Sequence, residues 1–219
     1  MTPGSTTVPA TANTTPQSGV ANTTPQSSVT ETEPRPSGSG PATGPAHKPR
    51  LATVWLDGCS GCHMSLLDTD ERLIALAQLV DVVWGPLVDT KEFPEHVDIT
   101  LVEGAVSSED DLERIRLVRS RSKILISLGD CAVTGNVPAM RNKFGANAVL
   151  RRAYLENHTL DAQIPRSVIP PLLPSVRPVH ELVLVDVFVP GCPPSADLIF
   201  SVLSEILQGR ISNPSAKFG

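Results

Sequence analysis

The sequence predicts an α/β fold, a doubly wound parallel sheet, from three observations. Short apolar runs alternate with amphipathic stretches of helical period between residues 51 and 207. Those runs are rich in aliphatic and β-branched residues, as strands buried on both faces tend to be. All four cysteines (Cys59, Cys62, Cys131 and Cys192) follow shortly after such a run. An open parallel sheet explains the last pattern, because every strand delivers its carboxyl end to the same edge.

The elements follow in order. Leu51–Leu56 is a strand that ends at the Cys59-Ser-Gly-Cys62 loop. From Met64 to Val80, apolar residues at 66, 67, 73, 74, 77 and 80 form the stripe of one amphipathic helix. Val82–Trp84 and Val97–Val102 read as the next strands, the second ending in Glu103-Gly-Ala105. Ser107 and Ser108 precede Glu109, Asp110 and Asp111, while Arg119, Arg121 and Lys123 follow about three turns later. Acids at the positive end of the macrodipole and bases at the negative end predict a helix over about 109–120. Lys123–Leu128 is a strand leading to Gly129-Asp-Cys131-Ala, and a helical segment follows near 138–157. Five prolines between 165 and 178 argue against regular structure there. Glu181–Val189 is the last strand, and Pro193-Pro194-Ser195 opens a closing helix with Leu198, Ile199, Val202, Ile206 and Leu207 on one face and Gly209 past its end. Residues 49–219 are thus expected to form one flavodoxin-like domain.

The first fifty residues differ in kind. They hold nine of the twenty-one prolines, no aromatic residue, and Val8, Val20 and Val29 as their sizeable apolar side chains. Such a stretch cannot bury enough surface to offset chain entropy, so residues 1–48 are expected to be a disordered Pro/Thr/Ser-rich tail. A tandem repeat, 12–20 followed by 21–29, has no apolar face to stack and supports the same reading. Three basic and two acidic residues lie in those fifty, leaving 15 basic against 21 acidic in the remainder, a balance that does not invite nucleic acid. No stretch approaches the length of an apolar membrane span, and the N-terminus carries neither a signal core nor a twin arginine. A cytoplasmic location is expected, and in that reducing compartment the cysteines suit metal or redox roles better than disulfides.

Several chemistries compete for those thiols. Cys59-Ser-Gly-Cys62-His63 matches the attachment motif of a c-type haem, and CxxC before a helix matches a thioredoxin-type pair, but neither uses Cys131 or Cys192. A Zn(Cys)4 site ordinarily pairs two CxxC knuckles, whereas here the third and fourth thiols stand alone after separate strands. Free buried thiols would have to fall beside glycines at strand ends by coincidence. Four thiolates from three loops suit an iron-sulfur cluster best, with Gly58, Gly61, Gly129 and Gly191 letting backbone N–H groups come near the sulfurs.

Four segments carry a resemblance: Trp55 to Asp68 around Cys59-Ser-Gly-Cys62, Val102-Glu-Gly-Ala-Val106, Gly129-Asp-Cys-Ala132 and Pro190-Gly-Cys-Pro-Pro194. In this order, over about residues 50–210, they resemble the small subunit of nickel-iron hydrogenases, and most closely the short cytoplasmic form of the NAD-reducing, bidirectional enzymes. The resemblance implies one 4Fe-4S cluster on Cys59, Cys62, Cys131 and Cys192, beside a nickel-iron centre in a hydrogenase large subunit, with electrons passing toward flavin and iron-sulfur diaphorase subunits. Exported small subunits of this family carry about a dozen cysteines, so four leave room for one cluster. The related iron-sulfur subunit of quinone-linked complex I commonly has adjacent cysteines in its first motif, and comes second; a zinc-stabilised non-catalytic module is the alternative from another class.

Other residues enter with two roles each. Glu103, in the family's VEG segment, is a candidate to orient the cysteine loop or lie near the cluster, the plainer role being capping of backbone amides. His63 is a candidate for a sulfur contact or the partner's surface, the plainer role being a backbone-satisfied histidine at a helix start. Asp130 reads as a turn or cap residue, and Trp55 and Trp84 as core. FMN is a second cofactor to consider, with Thr134-Gly135 as its one supporting loop. One CxxC pair and no GxGxxG after a strand mean that the chain cannot perform hydrogen splitting and NAD reduction alone.

Overall fold

The computed structural model describes residues 47–211, 213 and 214. The chain runs through β1 (Arg50–Trp55), α1 (Gly61–Leu67), α2 (Glu71–Leu79), β2 (Asp81–Trp84), β3 (Val97–Glu103), β4 (Val106–Ser108), α3 (Glu109–Arg121) and β5 (Ser122–Leu128). It continues with α4 (Gly129–Thr134), α5 (Asn136–Ala139), a 3-10 turn (Met140–Lys143), α6 (Ala146–Arg151), a turn of π-helix (Arg152–Glu156), β6 (Leu172–Arg177), a 3-10 turn (Val179–Glu181), β7 (Val187–Val189) and α7 (Ala196–Leu207). The tail expected over 1–48 lies outside the described residues, save His47 and Lys48.

Strands β2, β1, β3, β5 and β7 lie in that order and pair in parallel. Numbered by chain order among themselves, this is the 2-1-3-4-5 arrangement of flavodoxin-like sheets, as expected from the sequence. Alternate residues feed two cores. On one face, Leu51, Ile99, Leu101, Ile126 and Leu128 meet α1, α2 and α7; on the other, Ala52, Val54, Val102 and Leu125 meet Ile115 and Val118 of α3. This two-sided burial is why the strand runs looked almost continuously apolar.

The helix signals after β4 hold closely. Ser108 accepts from the Asp111 amide at 3.1 Å while Asp111 accepts from the Ser108 amide at 3.0 Å, a reciprocal capping box, and Arg119 and Arg121 close the helix.

Elsewhere the structure corrects the sequence reading. The single helix expected over 64–80 is two. Thr69 donates its hydroxyl to the Leu66 carbonyl at 2.8 Å and Asp70 takes a φ of 52°, so the chain turns between α1 and α2 although the apolar period continues through the break. Cys62 and His63 thereby lie inside α1. The helical segment near 138–157 is broken into four short pieces, with Gly145 at φ 81° between two of them.

The proline-rich stretch contains β6, which pairs antiparallel with β4 in a separate two-stranded sheet. Pro174 is tolerated because a two-stranded ladder leaves one edge of each strand free of pairing. Asn142 clamps β6 from the side, donating to the Val176 carbonyl at 2.8 Å and accepting its amide at 2.7 Å. Arg141 donates to the carbonyls of Leu173 and Ser107 and so joins β6 to β4.

The last strand is three residues rather than nine. Before it, Val179–Glu181 forms a 3-10 turn, and the chain joins β5 only at Asp186, whose amide donates to the Leu125 carbonyl at 2.9 Å while its carboxylate accepts the Leu125 amide at 2.8 Å and pairs with Arg119 at 2.6 Å.

Asp111 accepts from the backbone of both Ser107 and Ser108, so Asp111→Ala should destabilise the chain by about 1–2 kcal/mol in urea unfolding. Asp111→Asn, which keeps a side-chain acceptor, should recover most of it.

Candidate functional site

The thiols meet at the carboxyl edge because β1, β5 and β7 all end there. β3 lies between β1 and β5, so the loop carrying Cys59 and Cys62 has to cross its end to reach the others. Two devices make the crossing. An isolated antiparallel bridge joins Asp57 to Ala105 through bonds of 3.0 and 2.8 Å, and the Leu56 amide donates to the Glu103 carbonyl at 2.9 Å. At this bridge Gly104 has a φ of 91°, and a Cβ there would stand 2.8 Å from the Leu56 carbonyl carbon.

The second device is the Glu103 carboxylate, which is 1% exposed. Its Oε2 accepts the His63 backbone amide at 2.9 Å and contacts the His63 imidazole at Nδ1. Glu103 thus bonds backbone at the start of α1, and its charge acts on the Cys62 thiol. Among the described residues, His63 Nε2 is buried and finds no hydrogen-bond partner. At Gly58 a built Cβ would stand 3.1 Å from the Gly104 Cα and 3.3 Å from Glu103 Oε1, so the loop passes close against the end of β3 there.

The loops after β5 and β7 are fastened to each other. Asp130, 4% exposed, donates its amide to the Gly191 carbonyl at 2.9 Å and accepts the Gly191 amide on Oδ1 at 2.6 Å. The turn residue of the sequence reading is thus also a clasp between Cys131 and Cys192, which no local signal indicated.

Close approach is severe at Gly129. A Cβ added there would lie 2.2 Å from Cys62 Sγ, and its φ is 80°. Gly61 would place one 3.2 Å from Cys59 Sγ, and a Cβ at Gly191 would stand 2.7 Å from the Pro194 backbone. Cys62 is buried, Cys131 half-buried, and Cys59 and Cys192 are exposed. Burial, then the Glu103 charge, then the other three thiols push the Cys62 thiol far above its ordinary value of 9.0. Cys131 is raised by burial first and by Cys192 next, while a hydrogen bond from the Val137 amide pulls it the other way. Each thiol therefore lies within electrostatic reach of the set. Among the described residues, no three His, Cys, Asp or Glu side chains are disposed to hold a single metal ion.

Beside this edge a cavity of about 400 Å³ opens between β1, α1 and α2, lined by apolar side chains such as Leu51, Leu66 and Leu76, with His63 at its rim. Trp55, expected in the core, lines this cavity and is 46% exposed. Trp84 does pack inward, edge-on to Phe93 at 5.7 Å. Thr134 gives its hydroxyl to the Asp130 carbonyl at 2.8 Å, so the polar group that suggested a flavin loop is engaged within α4. No described helix is long and apolar enough to cross a membrane.

The family model described as NADH ubiquinone oxidoreductase, 20 Kd subunit, matches residues 59–206, a span that takes in all four cysteines. This chain belongs to that family. Within it, the chain is 45% identical to the NAD-reducing hydrogenase HoxS subunit delta of Cupriavidus necator, over 74% of this chain and 80% of that one. It is 36% identical to a subunit of the F420-non-reducing hydrogenase vhu of Methanocaldococcus jannaschii, over 74% of this chain and 57% of that one. This chain also superimposes on a chain in a crystal structure of NAD+-reducing NiFe-hydrogenase in the H2-reduced state. There the TM-score is 0.75 and the identity 38%, covering 79% of this chain and 100% of the other. These family relatives are hydrogenase subunits, and so parts of oxidoreductases.

Because only the thiolate reacts, Cys62 should be the slowest of the four cysteines to alkylate in the anaerobic, metal-free chain, with Cys59 and Cys192 fastest. A thiol whose folded pKa lies above the unfolded value lends stability that is complete below the unfolded pKa and is lost as pH rises past it. Unfolding midpoints of the metal-free chain should accordingly fall above about pH 9, and less so in Cys62→Ala. Differential alkylation read by mass spectrometry and denaturant titrations at several pH values check the pair.

Proposed function

We propose that this chain is the electron-transfer small subunit of a cytoplasmic NAD-reducing nickel-iron hydrogenase, with residues 49–219 as its functional domain. The observation that carries the reading is the meeting of four thiols, delivered by the loops after β1, β5 and β7, in a chain whose relatives are hydrogenase subunits.

The residues fit a 4Fe-4S cluster better than a single ion. Four soft thiolates are the donor set such clusters take, and Gly129 leaves Cys62 Sγ room that any Cβ would fill. A structural zinc site ordinarily pairs two CxxC knuckles, whereas here Cys131 and Cys192 each stand alone on a separate strand-end loop, which favours the cluster. On this reading Cys59, Cys62, Cys131 and Cys192 are the ligands, and the group they hold supplies one-electron transfer.

The chain's own residues do the rest. Glu103 holds the start of α1, and with it Cys62, against the end of β3. Asp130 keeps the Cys131 and Cys192 loops in register. Gly58 and Gly61 let the first loop pass close to Gly104 and to Cys59. Cys59 and Cys192, being exposed, mark the side on which a hydrogenase large subunit with the nickel-iron centre would dock. Diaphorase subunits would take the electrons onward.

Anaerobic purification of the tagged chain with its natural partners, followed by iron, sulfide and nickel analysis, tests this. Four iron and four sulfide per chain are expected, together with nickel in a larger copurifying subunit and hydrogen-dependent NAD reduction. Zinc without sulfide would overturn the cluster; iron and sulfide without nickel would move the chain to a quinone-linked complex. Changing any one of the four cysteines to alanine should remove most of the reduced-cluster EPR signal.

A further inference from the structure

Immediately after α4 the chain makes a tight turn whose purpose the fold alone does not explain. Gly135 closes α4 with its amide on the Cys131 carbonyl at 3.0 Å and has a φ of 86°. Asn136 then takes a φ of 30°, the left-handed side that non-glycine residues seldom occupy and that asparagine tolerates best. Two consecutive residues of positive φ turn the chain back toward the site. There the Asn136 carboxamide nitrogen stands 3.5 Å from Cys192 Sγ, 56 residues further along the chain.

A thiolate only accepts, so the group facing it has to be the NH2 end of the amide. The next residue repeats the theme, since the Val137 amide donates to the Cys131 thiol. One turn thus supplies donors to two thiols from different loops.

We infer that Asn136 is a tuning residue, whose side-chain amide donates to the Cys192 sulfur and raises the reduction potential of the group the four cysteines hold. The inference rests on the cluster reading above. Reduction by one electron places more negative charge on the ligand sulfurs, and an N–H pointed at one of them stabilises that reduced state. The same donor steadies Cys192, one of the two solvent-exposed ligands.

A purely conformational role for Asn136 predicts something different from a donor role, and two substitutions separate them. Asn136→Gly adopts the positive φ more easily but has no donor. Asn136→Asp keeps the size and tolerance of the left-handed region but turns a donor into a charged acceptor. Both are made in the anaerobic complex, and the midpoint potential is read by redox titration with EPR detection, alongside iron and sulfide content.

With Asn136 as a donor, the potential falls in Asn136→Gly and falls further in Asn136→Asp, while iron and sulfide stay at four each in the glycine variant. Should the aspartate variant lose its cluster, the glycine variant decides alone by the same criterion. Wild-type potentials in cluster-loaded variants would overturn the role of Asn136 and leave the cluster reading intact. A wild-type chain without iron and sulfide would instead overturn the cluster reading, and this inference with it.

Discussion

The loop after β1 can meet the loops after β5 and β7 only by crossing the end of β3, and the Glu103 carboxylate at that end holds it in place. A buried carboxylate is costly unless its lone pairs are used, and here one oxygen takes both the backbone and the ring of His63. The arrangement makes the carboxylate and the start of α1 mutually dependent. Removing the carboxylate would strand the His63 amide in the interior, a loss of roughly 1–3 kcal/mol for a buried donor left unsatisfied. Because Cys62 precedes His63 directly, whatever fixes His63 also fixes the most deeply placed thiol.

Asp130 plays the matching part on the other side of the site. Its two bonds to Gly191 make one rigid piece of two loops separated by some sixty residues of chain. The thiols are thus carried by two units, one hinged on Glu103 and one on Asp130, that meet where Gly129 passes beside Cys62 Sγ. Glycine at 129 is required on two counts there, since its backbone is left-handed and its Cβ position is already taken by sulfur. Burial first, and neighbouring negative charge next, make the bare Cys62 and Cys131 thiols reluctant to ionise. That reluctance is the electrostatic complement of the iron proposed for them, whose positive charge would relieve it.

Much of this was legible in the residues. The continuous apolar runs gave β1, β3 and β5, and the serine, acid and arginine pattern around α3 marked both its ends, because those signals are local. The four cysteines could be brought to one edge because parallel topology fixes where strands end. What stayed hidden depends on distant partners. The break at Asp70 falls inside an unbroken apolar period, and β6 sits among prolines because it pairs on one side with β4. The Glu103–His63 and Asp130–Gly191 ties span 40 and 61 residues, beyond any periodicity argument. Asn136 carried no motif at all; its proximity to Cys192 exists only in three dimensions.

The excursion between β5 and β7 is pinned at its root by Arg141 and Asn142 reaching across to β4 and β6, while Leu160 and Val168 further out are among the most exposed apolar residues described. A cord tied off in this way transmits little to its anchor. Lengthening such a loop adds closure entropy only logarithmically, so insertions between residues 157 and 170 should leave Cys131 and Cys192 where they are. The protein thereby keeps a segment in which new sequence can accumulate, and new surface can be tried, without disturbing the thiol edge at its root.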